Sequence, residues 1–134
     1  MMRIGFLPSD FNPMILMLGE AEDCRALSGV LRRFARDGLD VAFGGLAFCQ
    51  VVGADVLLTA APGPAGVQQP VGGAFVWRVP GAMAASFAER LDDLAEPGRI
   101  AGSEDLACGT EDGIMVKVSR GEFTDDFLIR NGIR

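Results

Sequence analysis

Histidine is absent from the 134-residue sequence, and with it go the Ser-His-Asp and Cys-His nucleophilic systems and every imidazole metal ligand. Lysine is nearly absent too: eleven of the twelve basic residues are Arg, and Lys117 stands alone. Against 18 acidic residues the net charge is −6, and the scattered arginines form no basic stripe, so the electrostatic footprint of a phosphate-backbone binder is missing. Nucleic acid is not an expected partner. Cysteine is limited to Cys24, Cys49 and Cys108, an odd number at wide spacings that suits neither a disulfide framework nor a zinc site, so three unpaired thiols are expected. No apolar run free of Gly, Pro and charge reaches the ~18 residues of a membrane span. The short run Ile4 to Leu7 is interrupted by Pro8 too soon for a signal peptide. The expectation is a soluble cytoplasmic protein without a membrane partner.

A further scarcity is local. Residues 41–77 carry one charged side chain, Asp55, among seven Gly and three Pro. Such a stretch is either buried at the centre of a sheet or covered by another chain, because exposed strand edges without Lys or Glu invite pairing.

What is present describes one domain over residues 1–134, since 49% apolar residues at this length can bury a core without disulfides or metals. Met14 to Leu18 is an apolar run of strand length between Asn12-Pro13 and Gly19. From Glu20 the period changes: Cys24, Leu27, Leu31 and Phe34 share one helical face, acids fill the first turn, arginines the last, and Gly38 is placed to cap the end. Residues 41–43, 46–52 and 54–61 read as strands broken at Gly44-Gly45 and Gly53. The uncharged segment 62–73 reads as a connector or interface loop and fits neither a Walker loop nor a dinucleotide fingerprint.

The run 74–79, which holds the sole Trp, breaks at Pro80-Gly81 into a second helix over 82–96. There Met83, Phe87, Leu91 and Leu94 form the apolar stripe, with alanines thin enough on its flanks to let the helix lie on a sheet. Pro97 and Gly98 end it. Residues 104–108 and 114–119 form a last hairpin, with Ile114, Val116 and Val118 facing inward and Met115, Lys117 and Ser119 outward. An offset of sixty lays Leu27 on Phe87, Leu31 on Leu91, Phe34 on Leu94 and Gly38 on Gly98, the pattern of an internal repeat. The expected fold is α+β: a two-layer sandwich with a mostly antiparallel or mixed sheet and two helices, in the order β-α-β-β-β-β-α-β-β.

For chemistry the sequence offers only paired carboxylates, Asp92-Asp93, Glu111-Asp112 and Asp125-Asp126. Adjacent acids point in different directions on a helix or strand, so none makes an acid/base dyad alone. The spacing needed for a calcium loop is also missing. No catalytic residue, metal or cofactor is expected. The reading is a non-enzymatic protein-interaction or self-associating module. Its expected homodimer interface takes in Val67, Gln68, Gln69, Val71 and Trp77, and an acidic patch of Glu122, Asp125 and Asp126 could meet a protein partner. The alternative is a small-molecule binder or carboxylate-dependent enzyme whose pocket lies near the 62–73 loop, with contacts from Gln68, Gln69, Trp77 and Arg78.

Overall fold

Helix α1, Ala21–Asp37, forms where the period predicts it and buries Cys24, Leu27, Leu31 and Phe34. Its first turn is held by its own acids: the Glu20 N–H donates to Asp23 Oδ2 at 2.9 Å. Its end is the left-handed Gly38, φ 67°, whose N–H donates to the Phe34 carbonyl at 2.8 Å. In the computed structural model, residues 1–8, 13–69, 73–99, 101–106 and 114–121 are described. Helix α2, Gly81–Leu94, buries Phe87, Leu91 and Leu94 as the stripe requires, with Met83 half-buried. Ala84 and Ala88 are fully buried as well, because α2 lies on α1 and not only on a sheet.

The two helices run antiparallel. At one end Arg25 donates to the Ala95 carbonyl at 3.0 Å, and at the other the Gly81 backbone comes so near Ala35 that an added Cβ would sit 3.3 Å from its carbonyl oxygen. Helix α2 stops at Leu94, with Ala95 as a right-handed C-cap, so Gly98 does not cap it.

The chain is α+β, and the expected order of elements is kept with two strands added. One is β1, Met2–Leu7; the other, β6, Gly66–Gln68, lies within the segment read as a loop. Where one sheet was expected there are two mixed sheets. The first has the order β4-β1-β2-β9-β8 and the second β3-β5-β7-β6. Their remaining strands are β2 Met14–Gly19, β3 Val41–Ala42, β4 Cys49–Val52, β5 Val56–Thr59, β7 Phe75–Arg78, β8 Gly102–Asp105 and β9 Met115–Arg120. Several boundaries differ from the sequence reading. A 3-10 turn at Phe43–Gly45 shortens β3 and delays β4, because Phe43 is drawn fully into the core. The last hairpin pairs Ser103 with Ser119, which places β8 earlier than residues 104–108; its turn lies outside the described residues.

Inward residues of both sheets and both helices join in one core. Val116 and Val118 face it as expected, yet Ser119, expected outward, is 1% exposed. It sits opposite Leu18 on the other face of the first sheet, where Leu7, Leu16 and Leu18 form a second buried cluster, so that sheet is apolar on both sides.

The offset of sixty extends from the helices to the strand registers. Ile15 pairs with Val116 and Met17 with Val118 in the first sheet; moving each residue by sixty gives the Phe75–Val56 and Trp77–Leu58 pairs of the second. The antiparallel pair Ile4–Met17 has its counterpart in Val67–Trp77, where Met17 and Trp77 keep the offset of sixty and the outer strand is shifted to sixty-three. Each sheet therefore joins a hairpin from one half of the chain to a strand pair from the other through a parallel contact, β2 to β9 and β5 to β7.

Candidate interaction surface

The residues expected at an interface separate. Trp77 is fully buried, edge-on to Phe43 and stacked with Phe87, both with ring centroids 6.1 Å away. Val67 is 4% exposed and is held between Trp77 and an antiparallel bridge to Ile114. Neither offers surface to a partner, because the strand alternation of β6 and β7 turns both into the core. Gln68 and Gln69 are exposed. Val71 and the acidic patch Glu122, Asp125 and Asp126 lie outside the described residues, as does Cys108.

The groove expected near the 62–73 segment exists, at about 220 Å³, between Thr59, Pro62, Gly63, Arg78 and Pro80. Of the four residues named for that pocket Arg78 lines it, and it donates to Gln68 Oε1 at 3.1 Å. Trp77 points the other way, being buried on the opposite face of β7. Gly63 is constrained by the arginine: at φ 148° it lets the guanidinium approach to where a Cβ would be 2.6 Å from Nε. A second hollow of about 160 Å³ lies at the end of α1, beside Val30, Arg33, Phe34, Val41 and Leu46, under the exposed Leu39. Both are smaller than the roughly 300 to 1,000 Å³ of ordinary ligand pockets.

Titratable groups are drawn into structural roles. Burial pushes the Cys24 thiol up to about 11, with Arg120 pulling weakly the other way, and pushes Cys49 up to about 12. Both stay protonated, and the thiolate that nucleophilic chemistry needs is withheld. A hydrogen bond from Arg32 holds the Asp92 carboxyl below its usual range; the two side chains meet at 2.6 Å across the helix seam. Asp55, the one charge in the sparse middle, accepts the Gly44 N–H at 2.8 Å and the Val56 N–H at 2.7 Å, which turns it back on its own loop.

That leaves a surface of small and neutral groups. Between residues 41 and 69 the exposed positions are Ala, Gly, Pro and Gln: Ala42, Gly44, Gly45, Ala47, Gln50, Gly53, Ala54, the run from Ala60 to Pro64, Gln68 and Gln69. Among the described residues the sheet edges differ in how they are guarded. β8 carries Glu104 and Asp105, β3 is two residues long, and β6 is met by the Ile114 bridge. Strand β4, with the sequence Cys-Gln-Val-Val, has no charge and no Pro. It runs parallel to β1, with Met2 opposite Cys49 and Ile4 opposite Val51, and the Met2 N–H donates to the Phe48 carbonyl at 2.7 Å. In a parallel ladder that phase turns Gln50 toward β1 and sends the Val51 N–H and C=O outward. The sequence reading places a strand at 46–52 and recognises the missing charge, but not that this strand is an edge, since which strand becomes an edge depends on long-range pairing. Comparison of the chain with protein-family models, with curated proteins and with solved structures finds no match.

Proposed function

We propose that this chain is a non-enzymatic interaction module that associates with another protein surface, in the first place its own copies. One observation carries the reading: the exposed part of residues 41–69 is neutral, with its lone carboxylate tied to two backbone N–H groups. On a chain of net charge −6, copies repel over most of their surface and least here. The raised Cys24 and Cys49 and the paired Asp92 support the same reading, since these groups are committed to the protonated thiol and to the ion pair. The test is mass in solution by light scattering at several concentrations. A mass that rises with concentration to a defined multiple of 14.1 kDa is expected. A constant monomer ends the self-association reading.

The Arg78 groove favours a second reading, a binder of small anionic molecules, because the charged side chain among its described lining residues is a guanidinium that donates to Gln68. A thermal-shift series with small carboxylates and phosphate tests it. No rise in melting temperature at millimolar ligand removes it.

A further inference from the structure

We propose that two copies of this chain pair through β4, antiparallel, with Val51 opposite Val51 of the second copy, joining the two five-stranded sheets edge to edge. This rests on the self-association reading and names its surface. The Val51 N–H and C=O point away from β1, and a residue in that state can exchange both hydrogen bonds with an identical residue across a two-fold axis. The neighbouring two-fold registers are poorer: pairing Val51 with Cys49 calls on an N–H already donated to the Leu46 carbonyl at 3.0 Å, and pairing it with Gly53 calls on a left-handed residue of φ 88°. The axis also fixes the neighbours: Gln50 faces Val52 of the second copy, and Cys49 faces its Gly53.

Among the described residues nothing charged stands in the way. Gln50 and Val52 lie on one face and Cys49 and Val51 on the other, all neutral, and Cys49 and Val51 pack on the core of their own chain. Asp55, just past the strand, is turned back to Gly44 and Val56. Arg3 sits on β1 opposite Gln50. Two strand spacings to the far β4 and one more to its β1 put the two Arg3 backbones about 14 Å apart. That exceeds the Debye length of about 8 Å at physiological salt. The other edges lack this combination: β8 would bring Glu104 and Asp105 toward the same acids of a second copy.

The register gives the experiment. Gln50→Glu with Val52→Glu puts like charges directly across the axis twice, whereas Gln50→Lys with Val52→Glu puts opposite charges there. Gln50 is exposed and Val52 half-buried, on the face of the sheet away from the main core, and melting curves establish that each variant is folded. Light scattering at about 100 µM, about a hundredfold above a micromolar Kd, reads the result. The wild type and the Lys/Glu variant are expected at twice 14.1 kDa and the Glu/Glu variant at 14.1 kDa. A dimer that survives Glu/Glu overturns the β4 contact while leaving self-association standing. A dimer that both variants abolish overturns the Val51-centred register. A monomeric wild type overturns this proposal and the self-association reading together.

Discussion

The two halves of the chain share a plan and diverge where they touch. At the helix seam, position 28 meets position 88 and position 32 meets position 92, each facing its own counterpart sixty residues on. Identical residues there would set like against like. Instead, Ser28 donates to the Ala88 carbonyl at 3.1 Å, and Arg32 reaches Asp92 while also donating to Ser28 at 2.7 Å. Covalent linkage lets each half specialise, so a contact between equivalent positions becomes complementary. The interior is more conservative in character: Leu27 and Phe87, Leu31 and Leu91, Phe34 and Leu94 are all buried. A second difference lies at the helix starts, since α1 carries Glu22 and Asp23 in its first turn and α2 carries no acid.

The largest effects should be equal across the halves. Leu31→Ala and Leu91→Ala each remove a fully buried side chain, and each is expected to cost about 2 to 5 kcal/mol. Urea melts check this. A large cost on one side only would break the equivalence. Ser28→Ala should cost about 0.5 to 1.5 kcal/mol, because it removes the hydrogen bond to Ala88 at the seam. No loss would mean that the seam depends on packing alone.

Smaller changes sharpen the helix comparison. Ala82→Glu gives exposed position 82 the acid that α1 has at Glu22, and should stabilise by about 0.3 to 1 kcal/mol at low salt and less at high salt. The smallest effect is Asp92→Asn. Because Arg32 lowers the folded pKa of Asp92, its contribution is present above the ordinary carboxylate value and is lost as pH falls through the lowered one. Wild type and variant should therefore differ by a constant amount near neutrality and converge in acid. A difference that grows in acid would contradict the assignment.

Much of this was legible in the residues. The 3.6-residue spacing of Leu27, Leu31 and Phe34, and of Phe87, Leu91 and Leu94, specified both helices, and Gly38 marked the end of the first. The interface positions were less legible, for physical reasons. Val67 and Trp77 stand in a segment whose missing charge fits burial and association equally well, and only the β6–β7 register turns both inward. Strand β6 lay hidden because three residues between Gly and Pro carry too little alternation. The second sheet was invisible because a parallel contact such as β5–β7 joins residues by long-range packing and leaves no local signature.

Thiol chemistry offers an independent check on the interior. With Cys24 pushed to about 11 and Cys49 to about 12, neither should be labelled at pH 8 in the folded protein. Unfolded, unreduced protein should count three free thiols, including Cys108. A count of one would reveal a bridge.

The central claim, association through the neutral edge of the first sheet, is tested most directly by amide exchange at Val51 measured at two protein concentrations. Its N–H points away from β1, so protection that rises with concentration reports a second chain. The account predicts rapid exchange in dilute protein and strong protection at about a hundredfold higher concentration, with the inward Gln50 N–H protected in both. Fast exchange of Val51 at both concentrations would contradict it.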